Sequence, residues 1–99
     1  MKPLRIVWKK QALHRVDEIA DWYEGYMGGT AARHFLQGIS ETVQTLSYSP
    51  QIGRLDGRRS TEAVKFYSFV AHPKYKIVYY FNTRSIYIVT IHRTLMKNG

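Results

Sequence analysis

Apolar residues recur at spacings of three and four through the first half of the chain, and at alternate or consecutive positions through the second. Leu13, Val16, Ala20, Tyr23 and Met27 share one helical face. Arg15, Asp17, Glu18, Asp21 and Glu24 lie mostly off that stripe. Gly28-Gly29 ends the helix, because a glycine pair is costly inside one and easy just after it. Thr30 is placed to cap a second helix through its hydroxyl. Ala32, Phe35, Leu36, Ile39, Val43 and Leu46 form its apolar stripe, which Ser49-Pro50 stops. So short a link predicts an antiparallel helical hairpin.

The remaining segments read as strands. Leu4–Trp8 is short, β-branched and aromatic. Gln51–Thr61 is a loop rich in Gly and Arg, followed by strands over Ala63–Val70, Tyr75–Phe81 and Ile86–Ile91. His72-Pro73-Lys74 and Asn82-Thr83-Arg84-Ser85 make the turns, and connections this short force antiparallel neighbours. Ile77–Phe81 is apolar on both faces and is expected at the centre of the sheet, with at least one of Tyr79 and Tyr80 in the core. The predicted class is α+β, in the order β-α-α-β-β-β: a helical hairpin packed on an antiparallel sheet, as one domain over residues 1–99.

Charge adds an asymmetry. Met1–Pro50 carries six Lys/Arg against five Asp/Glu, whereas Gln51–Gly99 carries nine against two and holds five of the eight tyrosines. The formal charge of +8 favours an anionic partner: nucleic acid, an anionic membrane surface or an acidic protein. The absence of cysteine removes disulfides and thiolate chemistry. No run approaches the roughly 20 apolar residues of a membrane span, and Lys9 and Lys10 interrupt any leader-like segment. A soluble, cytoplasmic protein is the expectation.

Three local features have a family likeness. Trp8-Lys9-Lys10-Gln11-Ala12 runs a strand straight into the first helix. Ser49-Pro50-Gln51-Ile52-Gly53-Arg54 follows the second helix. Tyr75–Phe81, Ile86–Ile91 and then His92-Arg93 close the pattern. In this order and at this length the chain resembles the RelE/ParE superfamily of bacterial toxins, and the second feature is similar to its Pro-x-x-Gly-Arg signature. The resemblance implies the toxin half of a toxin–antitoxin pair. ParE-like members inhibit DNA gyrase, RelE-like members cut messenger RNA on the ribosome, and an antitoxin neutralises either.

RNA cleavage without a metal needs a base, an acid and cations around the phosphorane. His92 or His72 could move the protons, and Arg93, Lys65, Lys74, Lys76, Arg58 and Arg59 could hold the phosphate. Tyr67 and Tyr75 are candidates to stack on unpaired bases. Against this, no arginine lies within Ile77–Phe81 and no tyrosine follows Arg93, both departures from the RelE pattern. Each residue also has a plainer reading: His92 as a ring that fills the sheet edge, and the lysines beside turns as solvated charges.

The leading expectation is therefore a ParE-like gyrase inhibitor that arrests growth, with Arg58, Arg59, His92, Arg93 and the C-terminal tail contacting the target. It needs no catalytic set, metal or cofactor. The alternative is a ribosome-dependent endoribonuclease using His92 and Arg93 with Lys65 or Lys74. A third reading is a non-toxic, basic nucleic-acid-binding domain. The antitoxin is expected to be an acidic segment, disordered until bound, that either lies as an amphipathic helix over the hairpin near Trp22, Tyr26 and Phe35 or adds a strand to the sheet edge, in a hetero-oligomer. Trp22 falls away from the first-helix stripe and is the candidate anchor, its plainer role being to cover the flank of the core.

Overall fold

The computed structural model describes residues 2–71 and 75–93. The elements are β1 (Arg5–Trp8), α1 (Lys10–Met27), α2 (Gly29–Tyr48), a 3-10 turn (Pro50–Ile52), β2 (Arg54–Leu55), β3 (Tyr67–Ala71), β4 (Tyr75–Phe81) and β5 (Ser85–Arg93). The five strands form one sheet in the order β1-β5-β4-β3-β2, with both helices on one face. β4 is the middle strand, as its two apolar faces require.

The sheet is mixed rather than antiparallel. β1 runs parallel to β5, with Arg5 opposite Ser85 and Trp8 opposite Ile88. The other pairs are antiparallel. Part of the stretch read as a loop is in fact the edge strand β2, where Arg54 and Leu55 pair with Ser68 and Tyr67. Two residues carry too little periodicity to register as a strand. The predicted turn at His72-Pro73-Lys74 lies outside the described residues.

A single residue, Gly28, joins the two helices with φ 95° and ψ 167°. This backbone region is essentially restricted to glycine. The cap falls on Gly28 and not on Thr30, which lies inside the first turn of α2 and accepts a 3.4 Å bond from Arg33 Nη2. The chain needs only one residue to reverse, so the second helix starts earlier than a hydroxyl cap would place it.

The core lies between the hairpin and the inner face of the sheet. It joins Ala12, Ile19, Phe35, Ile39, Val43 and Leu46 of the helices to Ile77, Tyr79, Ile86, Ile88 and Ile91 of the sheet. Each fully buried aliphatic side chain contributes about 1.5–3 kcal/mol. The α2 stripe is buried as its spacing predicts, except for the exposed Leu36. The α1 stripe is rotated: Val16, Ala20 and Tyr23 pack on the core, but Leu13 and Met27 are exposed. Ala12 and Ile19 take the buried positions instead, because α1 leaves β1 at the sheet edge and turns that face inward.

The Pro-x-x-Gly-Arg segment is tied to the central strand. The Tyr79 hydroxyl donates to the Pro50 carbonyl at 2.6 Å and accepts from the Gly53 amide at 3.1 Å. Burial pushes the Tyr79 pKa up to about 12, so the hydroxyl keeps the proton it donates.

Candidate functional site

The outer face of the sheet, away from the helices, brings His92, Lys76 and Arg59 together. His92 on β5 stands opposite Lys76 on β4. Residues 56–66 connect β2 to β3 and fold back over this face. Asp56 organises them: its carboxylate accepts from the Arg58 and Arg59 amides at 3.2 and 3.3 Å. Ser60 closes the loop by donating to the Asp56 carbonyl and accepting from the Phe66 amide. Phe66 then meets Tyr80 edge-on at 5.3 Å.

Arg59 is brought to His92 by this loop. Its Nη2 donates to His92 Nε2 across 3.1 Å, while its Nε lies 3.7 Å from Asp56 Oδ2. An imidazole nitrogen that accepts from a guanidinium is unprotonated. Burial lowers the His92 pKa, and the charges of Arg59, Arg15 and Lys76 lower it further. Arg15 belongs to the same neighbourhood because its Nε donates to the Ile91 carbonyl at 3.2 Å, on the edge of β5 beyond the end of β1. Beneath the loop Val78 and Thr90 are fully buried, and the Thr90 hydroxyl has no hydrogen-bond partner among the described residues.

Arg93 is not part of this cluster. Successive strand residues point to opposite faces. Arg93 pairs with Tyr75 on the helix side, and its guanidinium lies 4.8 Å from the Trp22 ring centroid. Lys65 is also remote: it lines a depression with Tyr80 and Asn82, toward the opposite end of β4 from Lys76. Lys74 and the C-terminal tail beyond Arg93 lie outside the described residues, as does His72. Of the proposed nuclease set His92, Arg93, Lys65 and Lys74, no two of the described members meet.

Tyr67 and Tyr75 are not open to stack on bases. Tyr67 packs against Tyr79 and Phe81 on the helix side. Tyr75 is buried, its hydroxyl is hydrogen-bonded to that of Tyr23, and burial raises its pKa. Alternation along β3 and β4 sends both rings inward, a consequence of register that composition does not reveal.

A second surface lies on the hairpin. Trp22 and Tyr26 are exposed and in contact, with ring centroids 5.0 Å apart. Arg93 covers the Trp22 ring on the same side. Next to them opens a cavity of about 270 Å³ lined by Tyr23, His34, Phe35, Gly38, Ala71 and Tyr75. Phe35 is itself buried and meets solvent only as part of that lining. The Arg93–Trp22 contact was not visible in the sequence, where the two residues are far apart.

Among the described residues, no group of three His, Asp or Glu is arranged to hold a metal ion, and no helix is long and apolar enough to cross a membrane. The features together describe a small α+β domain with a cationic outer sheet face and an aromatic patch on its hairpin. The chain belongs to the ParE toxin family of type II toxin–antitoxin systems, parDE, whose family model matches residues 6–97. It is similar in fold to a solved structure described as the chromosomal ParDE TA system from P. aeruginosa. The TM-score is 0.72 at 21% identity, over 91% of this chain and 95% of that one. No curated protein matches.

Proposed function

We propose that this chain inhibits DNA gyrase, acting in the cytoplasm as a single toxin domain without metal or cofactor, and that a cognate antitoxin neutralises it. Family membership supports the toxin role. The observation that favours gyrase over the ribosome is the dispersal of the nuclease candidates: His92 faces outward, Arg93 lies on Trp22, and Lys65 sits toward the other end of β4. A binding toxin needs no such convergence. Arg58, Arg59 and His92 remain the target-contact candidates on the outer face. Purified toxin is expected to block supercoiling or trap cleaved DNA in a gyrase assay; no effect at stoichiometric excess refutes the reading.

The antitoxin reading draws support from the exposed Trp22–Tyr26 pair and the adjoining cavity. An acidic, amphipathic segment would bury these rings and place a carboxylate near Arg93. Arg93 is thereby moved from the target contacts to the antitoxin contacts. The solved structural neighbour comes from a toxin–antitoxin pair, which is consistent with a hetero-oligomer.

One observation favours the ribonuclease alternative: an unprotonated His92 stands beside Arg59 and opposite Lys76. That reading requires new message ends inside the ribosomal A site in toe-printing. Their loss in His92→Ala and Arg59→Ala would establish it over gyrase inhibition.

A further inference from the structure

The outer sheet face carries more cationic residues than the target-contact reading uses. Arg5 on β1 stands opposite Ser85, and Lys9 lies over the Tyr87 ring with its Nζ 6.0 Å from the centroid. Arg84 lines a depression with Arg5 and Tyr87. At the other end of the face are Lys76 and Arg59, gathered at His92. From Ser85 to His92 the face extends about 20 Å along β5. Among the described residues only Arg59 of these five cations has a carboxylate within salt-bridge reach, that of Asp56 at 3.7 Å.

The aromatic rings of this face are already engaged. Tyr80 and Tyr87 stack at 4.7 Å, Phe66 closes the edge of Tyr80, and Lys9 lies over Tyr87. Single-stranded nucleic acid is held by open aromatic platforms on which bases stack, and among the described residues this face offers none. What it offers is a row of largely uncompensated cations, the complement of a phosphate backbone. Its length corresponds to roughly six steps of a duplex strand at about 3.4 Å each.

We propose that the outer sheet face binds the phosphate backbone of duplex DNA without reading its sequence. The choice of DNA rests on the gyrase reading, since gyrase works on duplex DNA and a toxin docked there would touch enzyme and nucleic acid together. Arg5, Lys9 and Arg84 hold one end of the contact, Lys76 and Arg59 the other. The hairpin patch at Trp22 stays clear of it, so DNA and antitoxin address opposite sides of the molecule.

The test is fluorescence anisotropy of a labelled duplex of about 20 base pairs, titrated with the whole chain over a salt series. The chain is expected to bind, with affinity falling steeply as salt rises. Arg5→Gln/Lys76→Gln is expected to weaken binding about ten-fold or more and to reduce the log–log salt slope by about two. Lys2→Gln/Arg33→Gln removes the same charge elsewhere and is expected to leave binding within about two-fold. Thermal melting of both double variants confirms that they are folded. Equal weakening by the two pairs, no binding at low salt, or tighter binding to single-stranded RNA of the same length overturns the proposal. Supercoiling inhibition by the parental chain is measured alongside. Its absence refutes the gyrase reading whatever the duplex does, whereas inhibition without duplex binding refutes this inference alone.

Discussion

Gly53 sits against the phenol of Tyr79 so closely that a side chain there has no room. A Cβ on Gly53 would lie 2.9 Å from Tyr79 Cζ and 3.0 Å from the Ser68 carbonyl oxygen, and nearer still to the Tyr79 hydroxyl. The ring is fully buried and the carbonyl belongs to a paired strand, so neither can yield. The spacing of Pro50 and Gly53 thus has a mechanical basis: it lets the chain wrap one buried hydroxyl and start β2.

This arrangement predicts a coupled pair of variants. Tyr79→Phe leaves the Pro50 carbonyl and Gly53 amide without their partner and is expected to cost about 1–3 kcal/mol. Gly53→Ala is expected to cost more, through the clash. In the double variant the hydroxyl that the new methyl group would strike is gone, so the combined loss should be less than the sum of the two singles. Urea denaturation of the four proteins checks this; strict additivity would mean that Gly53 is not held by Tyr79.

Gly28 makes a purely backbone prediction. Among the described residues nothing lies within 4 Å of a Cβ placed there, yet its φ is +95°. Gly28→Ala is therefore expected to lose about 1–3 kcal/mol from strain alone. Gly38→Ala tests the opposite case, because Gly38 is inside α2 with open space around it and no positive φ. It should gain up to about 1 kcal/mol. A pair of melting curves that move in opposite directions is the expected result.

The hairpin patch predicts where the antitoxin binds. Trp22 is 39% exposed, with Arg93 over its ring. Trp22→Ala is expected to weaken antitoxin binding by about 2 kcal/mol, or roughly 30-fold, as loss of a central aromatic anchor does. Gyrase inhibition should persist. Calorimetric titration showing unchanged antitoxin affinity would remove Trp22 from the interface.

His92 predicts a pH dependence. Burial first, then the charges of Arg59, Arg15 and Lys76, hold its pKa below the ordinary 6.5, with Asp56 the nearby carboxylate on Arg59. The unfolded chain therefore takes up this proton more readily than the folded one. The stabilisation from His92 is complete above pH 6.5 and is lost as pH falls through the lower folded value. Protonation also ends the Arg59–His92 bond, because the charged ring cannot accept. Between about pH 7.5 and about pH 5 the parental chain should lose more stability than His92→Gln, read as the shift in urea midpoint. An equal loss in both would show that His92 does not carry the effect.

Much of this fold was legible from local rules. The helices announced themselves by period, the hairpin by its glycines, and β4 by a run that leaves no polar face. Asn82 marks a turn in the sequence, and its Oδ1 accepts from the Arg84 and Ser85 amides at 2.8 Å each. The candidate site was legible only as a set of residue types. Arg59 and His92 are 33 residues apart and meet because a loop folds over the sheet. His92 and Arg93 are adjacent in the chain yet serve opposite faces, since their directions depend on which face of β5 the helices cover.

Spacing and backbone freedom act over a few residues, and they suffice to set both helices, four of the five strands and their order along the chain, the charge of the second half and the need for glycine at a tight reversal. The tertiary structure alone decided that β1 lies parallel beside β5, that Leu13 and Met27 stay outside the core, and that Arg93 rests on Trp22. Those outcomes depend on which distant surfaces bury one another, and no periodicity along a chain encodes the partner across a sheet.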